Sequence, residues 1–86
     1  MPEISRFLGI IIVMYYNDHA PPHFHARYGD VEAVIAIDSG VVVEGRLPPR
    51  VLGLVQEWRE RHHAELTEDW RLARERKALN RINPLE

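Results

Sequence analysis

The sequence predicts a small α+β fold: a mostly antiparallel sheet of three to four strands, followed by two C-terminal helices packed on one face. Three observations carry this. The chain changes character near Pro48: before it, β-branched and aromatic residues alternate with turn residues, and after it Leu, Glu and Arg recur at helical spacing. The stretch 23–37 alternates consistently on both arms of a hairpin. Finally, 86 residues hold one domain with a modest core, which excludes folds of about 200 residues such as dinucleotide-binding domains and TIM barrels. The expected plan is therefore a single domain over 1–86, mainly β over 1–47, helical over 48–76, with an irregular tail over 77–86.

Element by element, residues 9–16 (GIIIVMYY) read as one strand, apolar on both faces and hence central. A loop over 17–22 follows, stiffened by Pro21 and Pro22. Residues 23–28 and 31–37 form a hairpin around Gly29-Asp30, where Gly at the first turn position suits a type II′ turn. A two-residue loop pairs Tyr28 with Val31, Arg27 with Glu32 and Phe24 with Ile35. Phe24, Ala26, Tyr28, Val31, Ala33, Ile35 and Ile37 then share an apolar face. His23, His25, Arg27 and Glu32 share the other, expected to point away from the helices. Asp38-Ser39-Gly40 turns the chain into a short strand over 41–44.

Pro48-Pro49 opens a helix, because proline is tolerated in the first turn. Val51, Leu54, Val55, Trp58 and His62 form one stripe, which Leu66, Trp70 and Ala73 extend. One helix over 49–76 would be roughly 42 Å long, against about 30 Å for a domain of this size. Two helices breaking near 63–65 are therefore expected. The alternative is one long helix docked on a second copy, a homodimer.

The chain resembles a known family in several places. They are Ile4-Ser5-Arg6-Phe7, Tyr15-Tyr16-Asn17-Asp18-His19, Pro21-Pro22-His23-Phe24-His25-Ala26, Gly45-Arg46-Leu47-Pro48 and Glu57-Trp58. The family is the bacterial "domain of unknown function 4160". The resemblance spans nearly the whole chain and is most specific from Asn17 to His25. It implies the same size and strand-then-helix order. It also implies frequent encoding beside another small uncharacterised family, number 2442, in the manner of toxin–antitoxin pairs. It implies no settled activity.

Composition narrows the chemistry. Hydrophobic residues make up 45% and charged residues 28%, the net charge is −2, and cysteine is absent. There are no disulfides or thiolate metal sites, and nucleic-acid binding would need a local basic patch. The longest apolar run is far below the roughly 20 residues of a membrane helix, and Met1-Pro2-Glu3 lacks a basic leader. A cytoplasmic protein with no membrane partner is expected.

His19, His23 and His25 lie within seven positions. Imidazole titrates near neutrality, which suits acid–base work at a phosphodiester. His19, His23, His25 and Arg27 are therefore the candidate catalytic residues, forming an anion site that prefers low pH. Arg6, Tyr15, Arg71, Arg74 and Lys77 are candidate nucleic-acid contacts, the last three from the chain's one basic run, 71–81. His62 reads as a packing residue on the stripe, and His63 as lying near a helix end.

The leading expectation is a small toxin–antitoxin-type protein directed at RNA, a ribonuclease using histidine chemistry without a cofactor. It would be partnered by RNA and a small cognate antitoxin-like protein. One alternative is a non-catalytic module that binds the neighbouring protein or DNA as a regulator. Another is a small metalloprotein in which two or three imidazoles bind zinc or a similar ion, with Asp18 or Glu32 as a further ligand.

Overall fold

The structure is a computed structural model that describes residues 2–16 and 18–85. Five strands run in the order β1 (Glu3–Phe7), β2 (Ile10–Val13), β3 (His23–Tyr28), β4 (Val31–Ala36), β5 (Val42–Gly45), each antiparallel to the next. Two helices follow, α1 (Pro49–Arg61) and α2 (His63–Arg74).

The sheet thus has five strands where three to four were expected. The difference lies at the N-terminus. The apolar run over 9–16 is not one strand, because the chain reverses just before it. Phe7 pairs with Ile10, and Leu8 and Gly9 form the two-residue connection with φ of 51° and 82°. Positive φ at both central positions is the I′ hairpin geometry, for which Gly9 is well suited and Leu8 is not. The strand then ends at Val13, so Tyr15 and Tyr16 belong to the loop. Asn17, expected to begin that loop, lies outside the described residues, as do Met1 and Glu86.

The second hairpin follows the sequence reading. Tyr28 pairs with Val31, Arg27 with Glu32 and Phe24 with Ile35, and Gly29 takes φ 58° at the turn. Alternation then buries Phe24, Ala26, Ala33 and Ile35 completely. Ile10 and Ile12 of β2 pair with Tyr28 and Ala26, which extends the same face. Tyr28, at the hairpin end, is exposed.

Helix α1 presents Val51, Val55 and Trp58 to this face, and Trp58 packs tilted against Phe7 and edge-on to Phe24, with ring centroids 5.6 and 5.8 Å apart. The helical stretch breaks at His62 (φ −120°, ψ 27°), just before the expected 63–65, so the one-helix alternative does not hold. The resulting body measures 33 × 25 × 22 Å. Helix α2 buries Leu66, Asp69, Trp70 and Ala73.

The C-terminal tail has no helix or strand, as expected, but it is packed. Ile82 and Leu85 are buried in the core. The Ile82 N–H donates to Ile4 O (2.8 Å), Trp58 Nε1 donates to Asn83 O (2.8 Å), and the Asn80 N–H donates to the buried Asp69 Oδ1 (2.9 Å). The tail thereby straps β1 to both helices. No helix is long and apolar enough to cross a membrane.

Candidate functional site: a histidine and carboxylate cluster

Strand alternation sends Phe24 and Ala26 into the core, so His23, His25 and Arg27 project from the opposite side of β3. The rings of His23 and His25 lie 5.6 Å apart. The loop before β3, with its cis Ala20–Pro21 bond, brings Asp18 onto them. Asp18 Oδ2 stands 2.8 Å from His23 Nε2 and 3.8 Å from His25 Nε2. These three residues form a group whose donor atoms all lie within 4.8 Å of one another.

Each imidazole is held from behind. His23 Nδ1 faces Pro21 O at 2.7 Å, and His25 Nδ1 faces Glu32 Oε2 at 2.7 Å. A carbonyl oxygen and an ionised carboxylate only accept, so both Nδ1 atoms carry hydrogen and donate. Tyr15 sets its ring edge-on to His25, with centroids 4.5 Å apart, and its hydroxyl accepts from Arg27 Nη2 at 2.9 Å. Arg27 Nε lies 3.5 Å from Glu32 Oε1, the cross-strand pair expected from the hairpin register.

Burial pushes the Asp18 carboxyl upward. The hydrogen bonds from His23 and the His19 backbone N–H, with the charges of those two imidazoles, outweigh it and hold the group below its ordinary value. Asp18 is thus an ionised acceptor at neutral pH. In contrast, His25 Nε2 is buried and has no hydrogen-bond partner among the described residues.

The remaining sequence candidates fall in different places. His19 reaches the cluster through its backbone, donating to Asp18 Oδ1 at 3.0 Å, and the residue is otherwise exposed. Arg6 sits on β1, two strands from Arg27 through the register Arg6–Ile11–Arg27, and is paired with Glu3 at 2.7 Å. With Arg81 also on it, the Glu3 carboxyl is lowered to about 2. On α2, Arg71 is held between Glu68 (2.6 Å) and Glu75 (3.1 Å), and Lys77 also pairs with Glu75. Arg74 is exposed in the last turn. Within the basic run, Arg71 and Lys77 are thus matched by Glu68 and Glu75, and Arg81 by Glu3 of β1.

One expectation is corrected. The polar side of β3 does not lie wholly clear of the helices, because Trp70 of α2 packs on His23 with centroids 5.1 Å apart. Trp70 reads from sequence as part of the helical stripe. Its contact with His23 depends on how α2 docks after the break at His62, which no local pattern encodes.

Neither the curated proteins nor the solved structures yield a match to this chain. The family model described as "Domain of unknown function (DUF4160)" matches residues 9–71. That stretch contains the proline loop, the three-residue cluster and Trp70, and covers well over half of the sequence, so the chain belongs to the DUF4160 family.

Proposed function

We propose that this is a small toxin–antitoxin-type protein directed at RNA, with the Asp18–His23–His25–Arg27 cluster as its working site. One observation carries the reading. In a cluster whose other ring nitrogens are all engaged, His25 Nε2 is left without a hydrogen-bond partner among the described residues, 3.8 Å from the Asp18 carboxylate. A buried unpaired nitrogen is costly in a structural site and useful in one that handles a proton. On this reading, the cluster takes the proton of a ribose hydroxyl as it attacks the adjacent phosphorus and gives it back to the leaving oxygen. Arg27 holds the phosphate, which suits its planar fork of donors.

The test is expression of the full chain with and without a candidate small antitoxin-like partner, taken from beside its gene if one is encoded there, scored for growth and for cleavage of total RNA. The expected result is growth arrest that the partner relieves, with cleavage reduced at least about 100-fold by His25→Ala, the scale of a lost acid–base group. Intact RNA and normal growth, or arrest undiminished in His25→Ala, would overturn it.

A second reading, a non-catalytic module for a protein partner, is favoured by the far edge of the sheet. β5 ends the strand order, and Val41 and Val43 are exposed there. Such an edge accepts an added strand. It predicts a tight complex with such a partner that survives His25→Ala.

A further inference from the structure

The two histidines of the cluster present complementary problems. His25 donates through Nδ1 to Glu32, so in the neutral ring its Nε2 is a lone pair, buried and without a hydrogen-bond partner among the described residues. His23 donates through Nδ1 to Pro21 O, yet its Nε2 faces a second acceptor, the Asp18 carboxylate, at 2.8 Å. A proton on His23 Nε2 settles that contact but does nothing for His25. A single cation between them settles both.

We propose that Asp18, His23 and His25 bind a divalent transition-metal ion through Asp18 Oδ2 and the two Nε2 atoms. Two ligands at about 2.0–2.2 Å from a tetrahedral ion lie roughly 3.4 Å apart. The observed Nε2-to-Oδ2 separations of 2.8 and 3.8 Å bracket that value, and the whole set lies within 4.8 Å. The outer contacts are already those of metal-ligating histidines, whose second nitrogen donates to a carbonyl or carboxylate; here Pro21 O and Glu32 fill those roles. Two imidazoles and one carboxylate suit zinc and its neighbours rather than calcium or magnesium, which prefer all-oxygen sites. Three protein ligands also leave a position open on a tetrahedral ion.

Charge supports the same ion. Asp18 and Glu32 against Arg27 leave the cluster one negative charge in excess when the imidazoles are neutral. Arg27, already paired with Glu32, does not offset that excess for a phosphate by itself. A divalent ion reverses the sign and offers a phosphate oxygen a direct ligand position. In this respect the inference rests on the RNA reading for its substrate class and changes the role of His25: the Nε2 that would take a proton there would instead hold the ion. Metal binding itself is measurable without any RNA.

The experiment uses the full chain without a histidine tag, stripped with chelator and titrated with zinc chloride by calorimetry, with melting temperature followed in parallel. One equivalent should bind with a Kd at or below about the micromolar range, and zinc should raise the melting temperature. Asp18→Asn and His25→Asn should each weaken binding at least about tenfold. His63→Asn, which alters the separate His63–Asp38 pair, should leave it unchanged. Circular dichroism checks that each variant folds, and the wild-type titration stands whether or not one fails. Less than about a tenth of an equivalent bound, or equal binding by folded Asp18→Asn and His25→Asn, would overturn the site. RNA cleavage by the same samples separates the two proposals. Zinc binding without cleavage removes the RNA reading and keeps the metal site. Cleavage without zinc binding removes the metal site and keeps the RNA reading.

Discussion

Two pairs of histidines, close in sequence and equally rich in carboxylate neighbours, end in opposite situations. His62 and His63 sit at the junction of α1 and α2, and each meets an acid of its own: His62 with Glu65, and His63 with Asp38 at 2.7 Å. Nothing is shared between the two contacts. His23 and His25 instead converge on one oxygen of Asp18, and one of their nitrogens is left over. The difference is set by secondary structure. His62 sits at the break between the helices and His63 opens α2, so the two share no common face, whereas residues two apart on a strand point the same way. Histidine density therefore says little about a site. Convergence on a shared acceptor says more.

The largest expected effect concerns what the convergent pair depends on. His23 leans on Trp70, and the apolar side of β3 leans on Trp58. A fragment ending at residue 47 keeps His23, His25 and Asp18 but loses both tryptophans, the strap and the second histidine pair. It should be unfolded or aggregated, with no cooperative transition in a urea or thermal melt followed by circular dichroism. A soluble fragment that unfolds cooperatively would show that the cluster stands on the sheet alone. It would also break the link drawn between site and helices.

Within the folded chain, Asp18→Ala sharpens the comparison. It leaves His23 Nε2 unpaired where only 11% of the side chain is exposed, so a loss of about 2 kcal/mol is expected from denaturant unfolding at pH 7. The pH dependence follows from the lowered native carboxyl. The native state favours the ionised form, so the stabilisation is complete above the ordinary value of 3.8 and disappears as pH falls through the lowered native one. Wild type and Asp18→Ala should therefore converge in stability on acidification below about pH 4. Curves that stay parallel down to pH 2 would show that Asp18 is not an ionised partner of His23.

Much of this was legible in the sequence. Gly29-Asp30 and the period-two pattern place Phe24 and Ala26 inward and His23, His25 and Arg27 outward, and the register agrees pair by pair. β1 was hidden because its turn carries Leu8 where Asn or Asp would announce a hairpin, so the apolar residues beyond it merged into one apparent strand. The tail was hidden because its apolar anchors, Ile82, Leu85 and the partly buried Leu79, are few and follow no helical or strand period, while much of its hold is backbone hydrogen bonding. In the cluster, the shared face of the two histidines follows from alternation. The 2.8 Å contact to Asp18 and the ring of Trp70 follow from a loop path and a helix docking angle, which the pattern does not specify.

The smallest expected effect tests the pair that does not converge. His63 opens α2, where a cation is disfavoured by the helix dipole, and Asp38 answers it from the turn before β5. Both side chains are well exposed, 47% for His63 and 74% for Asp38. Water therefore replaces either partner readily, and the ion pair forms only when the imidazole is protonated. Asp38→Asn and His63→Asn should each change stability by less than about 0.5 kcal/mol at pH 7, and the double variant should show coupling no larger. The measurement is a double-mutant cycle in urea, run beside Asp18→Ala. If Asp38→Asn costs as much as Asp18→Ala, then a short carboxylate contact alone would account for both pairs. Convergence, rather than contact, would then no longer distinguish the cluster on β3.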